Sequence, residues 1–389
     1  MALRHWLQLS LTEGIGPILT ARLIDAAGSP EAACGANRQL LGSIEGIAAA
    51  KSRSIFESLH RAETEVGEMI ARCEAAGVGI ICQDDALYPE LLKVIPDPPC
   101  VLYVRGTLEP RDLNAVGIVG SRRCSHYGRE QAERFGALLA QAGVTVVSGG
   151  ARGVDSAAHR GALAPPEGRT IAVLGSGVDI AYPPENEAFF GQVAMRGAVI
   201  SEFPLGAPPM KENFPRRNRI ISGMSRGVLV IEADITSGAL ITARQAGDDH
   251  GRPVFALPGR IDNPMSAGPH ALIRDGATLV TNLEDILDGL GPLPHGAVIE
   301  TAEAEPELFE REMVDEPIAA AARVVDIKLT DRQQQIVRGL SAEAVNLEKI
   351  IEVSQLPAEV VMQELTMLTL KGVVTRVDGQ QFLLRSAKR

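Results

Sequence analysis

Short apolar runs rich in β-branched residues recur through the middle of the chain. The runs are AVGIV, VTVVS, TIAVLG, AVIS, GVLVIEA, PVFALP and ATLVT. Continuous apolar runs of this length are typical of strands that are buried on both faces of a sheet. They alternate with helical or glycine-rich stretches, which indicates right-handed βαβ units. Residues 115–290 are therefore predicted to contain the parallel sheet of a Rossmann-like α/β domain.

The N-terminal residues 1–75 have helical periodicity instead. A Gly-Ile-Gly turn at 14–16 precedes PILTARLIDAAG, whose apolar residues recur at helical spacing, and IEGIAAAKSRSIF repeats the pattern weakly. The turn is like that of a helix-hairpin-helix or SAM-like domain, in which glycine amides contact the DNA backbone. A single turn of this kind is more often only a tight connection between helices, so the structural interpretation is the stronger one.

Residues 326–389 have the pattern of a winged helix. Three predicted helices, TDRQQQIVRGL, NLEKIIEV and PAEVVMQELTMLTLKG, come before two predicted strands, GVVTRV and QQFLLR. The third helix would be the recognition helix, but Lys371 is its only basic residue and it also carries acidic residues. Because phosphate contact needs positive charge, a transcription factor acting through this domain alone is disfavoured, and a protein-interaction role fits better.

Composition limits the class of protein. With 389 residues, 45% of them hydrophobic, the chain is long enough for two or three domains with buried cores. The first residues lack the apolar segment of a signal peptide and no later stretch has the pattern of a membrane span, so a cytoplasmic protein without membrane contact is expected. Five scattered cysteines without a C-x-x-C pair suggest neither a zinc site nor a disulfide framework.

The net charge of −11 argues at first against binding to nucleic acid. Residues 300–316, however, contain eight acidic residues and one basic residue, a net charge of −7. They lie in a segment rich in Pro, Ala and Glu, which is predicted to be an acidic linker over residues 291–325. The folded parts are nearer to neutral, so their arginines can still form a local basic patch.

The segment VGIVGSRRCSHYGRE, residues 116–130, has the pattern of a strand that enters a glycine turn at the start of a helix. It lacks the G-x-G-x-x-G fingerprint and the acidic residue of a dinucleotide site, and the dipeptide Gly-Lys of a Walker A loop occurs nowhere in the chain. What remains is a turn, Gly120 to Arg122, whose amides and arginine suit an anion.

A second turn of this kind follows the next strand, in VVSGGARGVDSAAHRGAL. Gly149 and Gly150 would let the backbone pass close to a ligand, and Arg152 would lie at the same rim as Arg122. Two anion sites side by side suit two neighbouring phosphates. The alternative is that these glycines only permit tight strand-to-helix turns, which is less favoured for two loops that each carry an arginine.

A third basic segment, MKENFPRRNRIISG, contains a phenylalanine in a chain with only 4% aromatic residues. Its basic and polar neighbours are Lys211, Arg216, Arg217, Asn218 and Arg219. Cations that contact phosphates beside an aromatic ring that stacks on an unpaired base are the combination used in single-stranded nucleic acid binding. Taken alone, a core phenylalanine beside a solvated arginine face is the more common case.

Together these segments carry a family resemblance. In order, they are VGIVGSRRCSHYG, VVSGGARGVDSAAHRGAL, TIAVLGSGVDIAYPPEN, ISEFPLGAPP, FPRRNRIISGMS, VIEADITSGALITARQA and PVFALPG, preceded by ALYPELLKVIPDPPCVLYVRG. The set resembles the DNA-processing protein A family (DprA, also called Smf). The resemblance is dense over about 75–290, which gives a Rossmann-like DNA-binding domain at 76–290. The N-terminal and C-terminal domains fit the family less specifically.

The resemblance implies binding of single-stranded DNA and loading of the RecA recombinase onto it in natural transformation or recombination. It also implies a homodimer formed through the Rossmann-like domain. Because the dinucleotide and Walker A patterns are missing, no cofactor and no enzymatic activity are expected. Matched by motif, Arg122 and Lys211 should hold phosphates and Phe214 should stack on a base. The residues expected at the DNA site are Gly120, Ser121, Arg122, Gly149, Gly150, Arg152, Lys211, Phe214, Arg216, Arg217 and Asn218.

The competing hypothesis is an enzyme of a related fold, a nucleoside-monophosphate phosphoribohydrolase of the lysine-decarboxylase-like group. Glu232 ends a predicted strand at the edge where open α/β sheets bind ligands, and it would be the catalytic carboxylate. The PGGxGT segment of that group is replaced here by EADITSGAL. Asp155 and His159 have the spacing of partners on one helix face, but no nucleophile accompanies them, so a structural role is expected.

Overall fold

A computed structural model describes residues 2–292 and, further along the chain, residues 336, 345–354, 356, 361, 365, 368, 374–378 and 381–384. The chain divides into two compact units, Met1–Ala304 and Glu305–Arg389. The predicted linker, apart from residues 291 and 292, lies outside the described residues.

The first unit begins with the helices predicted for residues 1–75. Their bounds are α1 Ala2–Leu11, α2 Pro17–Ala27, α3 Pro30–Cys34, α4 Arg38–Ser43 and α5 Ala49–Ala75. The Gly-Ile-Gly turn joins α1 to α2, and Gly14 has φ of +87°, with only 3.3 Å between a β-carbon added there and Ile55 of α5. Positive φ and close packing both favour glycine there, as in a tight turn between helices.

A nine-stranded sheet follows. Its strands are β1 Gly79–Cys82, β2 Val101–Gly106, β3 Ala115–Val119, β4 Thr145–Ser148, β5 Thr170–Val173, β6 Gly197–Ser201, β7 Gly227–Val230, β8 Val254–Ala256 and β9 Thr278–Leu279. The spatial order is β1-β2-β6-β5-β4-β3-β7-β8-β9. Strands β3 to β9, the seven predicted ones, pair in parallel, which confirms the Rossmann-like sheet. Two strands that were not predicted, β1 and β2, extend one edge in antiparallel pairing.

Helices cover both faces of this sheet. Their bounds are α6 Glu90–Lys93, α7 His126–Gln141, α8 Val154–Leu163, α9 Glu187–Met195, α10 Asn213–Met224, α11 Gly238–Arg244, α12 Ala267–Arg274 and α13 Leu283–Leu290. Successive residues of one strand face opposite sides: Ile118 packs with Phe135 of α7, whereas Val119 packs with Ile220 of α10. Since β3 to β7 are parallel, the loops after these strands meet at one carboxyl edge, where α10 also begins.

The N-terminal helices share a core with the antiparallel edge of the sheet. Trp6 of α1 and Met69 of α5 pack in one cluster with Tyr103 of β2, and the Trp6 indole donates a hydrogen bond of 2.6 Å to Asp84. The stretches 1–75 and 76–290, predicted as two domains, therefore both lie within the first unit.

The second unit contains β10 Val345–Asn346, α14 Leu347–Ser354, β11 Val374–Asp378 and β12 Gln381–Leu384. The strands form an antiparallel sheet in the order β10-β12-β11. Its core contains Ile336, Ile350, Val361, Leu365, Leu368 and Val374. The predicted second helix corresponds to α14 and the wing to β11 and β12, whereas most of the other two predicted helices lies outside the described residues. No helix among the described residues is long and apolar enough to cross a membrane.

Candidate nucleic-acid interface

Helix α10 lies across the carboxyl ends of two central strands. The guanidinium of Arg217 on α10 donates hydrogen bonds to the carbonyl of Gly149, 2.5 Å away just after β4, and to the carbonyl of Val173 in β5. Asn213, the first residue of α10, donates from Nδ2 to the carbonyl of Gly175, 3.1 Å away. These bonds fix the start of α10 at the edge where the glycine turns emerge.

Phe214 lies in this fixed position between loops from two strands. Its ring is half-buried, and it packs so closely on Gly175 that a β-carbon there would be 3.0 Å from the Phe214 Cδ1 atom. The guanidinium carbon of Arg122, in the turn after β3, is 5.1 Å from the ring centroid. The ring of Tyr182, in the loop after β5, has its centroid 5.4 Å away. The predicted neighbours Arg122 and Phe214 are therefore in contact.

Several cations of the predicted site are exposed. Arg122 and Lys211 are exposed, and neither forms an ion pair with any residue that the structure describes. Arg152 is also exposed, but its Nε donates to Glu185 Oε1 at 2.5 Å, and this bond lowers the pKa of the Glu185 carboxyl. Arg122 and Lys211 thus have positive charge available for an anion, whereas Arg152 already has a carboxylate partner.

The turn after β3 is held tightly by the body of the domain. A β-carbon at Gly120 would be 2.6 Å from Val154 and 2.8 Å from the carbonyl oxygen of Glu232. Ser121 is buried, and its amide donates to the same carbonyl at 2.6 Å. Gly120 and Ser121 therefore fix the backbone that carries Arg122, and the Ser121 amide is already occupied.

The glycines after β4 are also explained by packing. A β-carbon at Gly149 would be 2.6 Å from Arg217 Nη1 and from Asp155 Oδ2, and one at Gly150 would be 2.7 Å from the ring of Phe190. Gly150 also has φ of +65°. At both turns, close packing accounts for the glycines, which is the less favoured of the two interpretations given above for these loops.

Arg217 is placed away from any ligand at this surface. It is 4% exposed, its Nη1 serves the two strand-end carbonyls, and its Nε donates to Asn218 Oδ1 at 3.2 Å. Burial lowers its pKa to about 10 and raises the pKa of its buried neighbour Asp155. In this arrangement Arg217 supports the edge from inside and does not present its charge to a phosphate.

Three further residues of the basic segment, Arg216, Asn218 and Arg219, have partners other than Phe214. Arg216 lies 3.6 Å from Glu202 and stacks at 5.2 Å on the ring of Phe203, and Arg219 lies 2.5 Å from Glu202 and 3.1 Å from Asp97. Asn218 donates to the carbonyl of Gly238 at 3.3 Å. Successive residues leave a helix at different angles, so this segment does not form one basic surface.

Both oxygens of the Glu232 carboxylate accept hydrogen bonds within the protein. It is 2% exposed, its Oε2 accepts from the Ser125 amide at 2.7 Å, and its Oε1 accepts from the Ser125 hydroxyl at 2.7 Å and from Asn263 at 2.9 Å. Glu232 thus ties the turn after β3 to the loop before α12. Both oxygens are used, which leaves none directed at a substrate.

Asp155 and His159 are separate structural groups. Asp155 Oδ2 accepts from the amide of Ala151 at 3.3 Å, whereas His159 Nδ1 lies 2.7 Å from Thr170 Oγ1. Burial lowers the pKa of His159 to about 3. Among the described residues, no cluster of His, Cys, Asp and Glu could hold a metal ion.

Tyr182 and Glu185 belong to the surface but were not among the predicted site residues. Both lie in the segment AYPPEN after β5, which is part of the family pattern. Tyr182 is one of four tyrosines in the chain, and an aromatic residue in a loop at the carboxyl edge is a signal that could have singled it out. The contact of Glu185 with Arg152 has no sequence signal.

Comparison with known proteins gives two family models that match the chain. The model described as DNA recombination-mediator protein A matches residues 79–291, and the DprA winged helix domain matches residues 320–380. The second match confirms the winged-helix prediction for the C-terminal unit.

Individual relatives extend over most of the chain. The protein Smf of Synechocystis sp. is 33% identical over 395 residues, covering 98% of each chain. The DNA processing protein DprA of Streptococcus pneumoniae is 43% identical over 203 residues, covering 52% of this chain and 71% of that one. An X-ray structure of the S. pneumoniae protein matches with a TM-score of 0.65 and 32% identity, covering 74% of this chain and 98% of that chain. The predicted family resemblance is confirmed.

Proposed function

The chain belongs to the DNA recombination-mediator protein A family, and we propose that it binds single-stranded DNA at the carboxyl edge of its sheet. In this proposal Arg122 and Lys211 hold backbone phosphates and Phe214 stacks on an unpaired base. Base stacking and phosphate contact are both tolerant of sequence, so the binding is general for single strands.

The observation that carries this proposal is the contact between Arg122 and Phe214. Arg122 is an exposed guanidinium without a carboxylate partner among the described residues, and it lies 5.1 Å from the centroid of a half-buried ring. If the Phe214 ring only packed against the protein, it would be expected in the core. If Arg122 were only solvated, it would have no reason to lie beside an aromatic ring. A cation beside an accessible aromatic ring suits a phosphate and its attached base.

Binding of a short labelled oligonucleotide tests this function. Single-stranded DNA should bind more tightly than duplex of the same length at two salt concentrations. Each phosphate contact should add about −0.7 to the slope of log K against log salt. Equal affinity for duplex, or an affinity that does not change with salt, would overturn the proposal.

The proposed role in the cell is to protect single-stranded DNA and to load the RecA recombinase onto it, with the protein acting as a homodimer. The family description as a recombination mediator supports this role. Loading should appear as faster onset of DNA-dependent ATP hydrolysis by RecA on strands coated with single-stranded DNA-binding protein. A molar mass of one chain in light scattering, at concentrations where loading is active, would exclude the dimer.

We propose no catalytic activity for this edge. The carboxylate of Glu232 is occupied by Ser125 and Asn263, which argues against its use in cleaving a nucleoside monophosphate. Incubation with AMP should release no free base. Release that is lost in Glu232→Gln, with the fold retained, would favour the phosphoribohydrolase hypothesis instead.

A further inference from the structure

Tyr182 forms an aromatic surface next to Phe214. The two ring centroids are 5.4 Å apart and the ring planes are tilted by 42°. Tyr182 is half-buried, and its hydroxyl has no hydrogen-bond partner within the described part of the chain. Tyr182 therefore keeps part of its surface accessible beside Phe214, and a packing role alone leaves that surface unused.

The loop that carries Tyr182 is fixed on both sides. Asn186 donates from Nδ2 to the carbonyl of Gly150 and to the hydroxyl of Ser156, both at 3.0 Å. Before Tyr182, the hydroxyl of Ser176 donates to the carbonyl of Ile180 at 2.8 Å. A ring held by a fixed loop loses little conformational entropy when a ligand stacks on it.

The two rings lie between two arginines on this surface. Arg122 lies on the Phe214 ring, Phe214 lies beside Tyr182, and Tyr182 is close enough to Arg152 to influence its pKa, which is raised mainly by the hydrogen bond to Glu185. The free cation of Arg122 followed by two rings suits a phosphate and two neighbouring unpaired bases, whereas Arg152 beyond Tyr182 is paired with Glu185.

We propose that Tyr182 is a second base-stacking residue, so that the site takes two successive unpaired bases, one on Phe214 and one on Tyr182. This inference rests on the proposed binding of single-stranded DNA. Successive bases in duplex DNA are stacked nearly parallel to one another, whereas the two ring planes are tilted by 42°. Two bases that stack on both rings must therefore be tilted relative to each other, which a single strand permits and a paired duplex opposes.

Counting the stacked bases directly tests the proposal. The probes are labelled oligodeoxynucleotides of one length in which every position is abasic, or in which one thymine or two adjacent thymines remain. Because the other positions carry no base, the count does not depend on the register in which the strand binds. The wild-type protein should bind more tightly with one thymine and more tightly again with two, each step by about 5-fold or more.

Substitutions at Tyr182 show which ring provides each gain in affinity. Tyr182→Leu should keep the gain from the first thymine and lose the gain from the second, whereas Tyr182→Phe, the matched control that keeps the ring, should keep both. The salt slope should stay unchanged in both variants because no cation is removed. A second thymine that adds equal affinity in Tyr182→Leu, or none in the wild-type protein, would overturn the proposal.

The two proposals fail in different ways. If the wild-type protein gains nothing from any thymine, the proposed single-stranded DNA site itself is wrong. If Phe214→Ala loses one step while Tyr182→Leu loses none, the site is retained and only the second stacking residue is wrong. If circular dichroism shows that Tyr182→Leu is unfolded, Tyr182→Trp provides the test instead. The two-thymine strand should quench the fluorescence of the introduced indole more than the one-thymine strand does. Equal quenching by both strands would contradict the proposal.

Discussion

Arginines at the carboxyl edge differ in what surrounds their guanidinium groups. Arg122 is exposed, lies on an aromatic ring and has no acidic partner among the described residues, whereas Arg217 is 4% exposed and bonded to backbone carbonyls. Arg152 is exposed but held by Glu185. The three arginines therefore have different roles: Arg122 is a free cation, Arg217 supports the edge from inside, and Arg152 is paired. A phosphate could bind Arg152 only in competition with the carboxylate of Glu185.

Replacing Phe214 separates stacking from packing. Phe214→Ala should weaken single-stranded DNA binding by about 1–3 kcal/mol with an unchanged salt slope, since the ring contributes stacking and no charge. Its half-buried position predicts only a small change in melting temperature. Phe203→Ala is the matched control, because Phe203 also carries an arginine, Arg216, but is buried.

The control should behave in the opposite way. Phe203→Ala is expected to lower the free energy of unfolding by about 3–5 kcal/mol while the folded fraction binds DNA normally. Melting temperature and salt-dependent affinity are measured on the same samples. A large stability loss in Phe214→Ala with normal binding would mean that Phe214 is a core residue.

Adjacent arginines allow a test of the phosphate contact. Arg122 and Arg123 are both exposed, but only Arg122 contacts a ring within the described structure. Arg122→Ala should weaken binding and reduce the magnitude of the salt slope by about 0.7, because one fewer counterion is released from the strand. Arg123→Ala should change the slope less. Equal effects in titrations over a range of salt would indicate only a diffuse electrostatic contribution from both residues.

At the scale of elements, strand patterns were predictable and the contacts that build the site were not. The seven parallel strands follow from continuous apolar runs such as GVLVIEA. Strands β1 and β2 lie at the antiparallel edge, where the first is only four residues long and partly exposed, so its pattern is weak. The positions of Arg122, Phe214 and Arg217 depend on contacts across more than 40 residues, which local periodicity does not encode.

The turn after β4 supports the turn after β3 through one glycine. A β-carbon at Gly153 would be 2.3 Å from the carbonyl oxygen of Ser121, and Gly153 has φ of +78°. Gly153→Ala should therefore lower both stability and DNA affinity, because the backbone that carries Arg122 must move. Gly251→Ala is the control: Gly251 has φ of +63° with nothing within 4 Å of the added carbon.

The comparison shows whether DNA affinity depends on the turn itself. Gly251→Ala should lose about 1–2 kcal/mol because alanine disfavours positive φ. Gly153→Ala should lose more, since its φ of +78° and ψ of −124° lie outside the left-handed helical region and the added carbon also collides with Ser121, and only this variant should lose DNA affinity. The measurements are chemical denaturation and oligonucleotide titration. Equal DNA affinity in the two variants would show that the two turns are not coupled.

At the scale of the whole molecule, the buried His159 links folding to pH. Burial lowers its pKa from 6.5 to about 3, so below pH 6.5 the unfolded chain takes up a proton that the folded protein does not. Unfolding is therefore favoured as the pH falls from 6.5 towards 3, by up to about 1.4 kcal/mol per pH unit from this group. His159→Gln should reduce the slope of unfolding free energy against pH over this range.

The wild-type protein, measured over the same pH range, provides the reference for that slope. Comparing slopes, rather than stabilities at one pH, removes the constant cost of the substitution. An unchanged slope in His159→Gln would show that other groups account for the acid sensitivity.

The distribution of charge along the chain opposes its proposed ligand. The chain carries a net charge of −11, and residues 300–316 contribute −7 of it, so neutralising that segment's eight carboxylates and leaving Arg311 would change the net charge to −3. DNA is a polyanion, and like charges repel over the Debye length, which is about 30 Å at 0.01 M salt and about 8 Å at 0.15 M. Replacing the eight carboxylates by amides should therefore raise single-stranded DNA affinity at low salt, mainly through a faster association rate, while the affinities of the two proteins converge near 0.15 M.

A matched set of Glu→Asp and Asp→Glu changes in the same segment keeps the charge and should leave affinity unchanged at both salt concentrations. If the amide variant keeps its advantage at 0.15 M, or if the charge-preserving variant shares it, the segment acts through contacts of its own rather than through the field of the molecule.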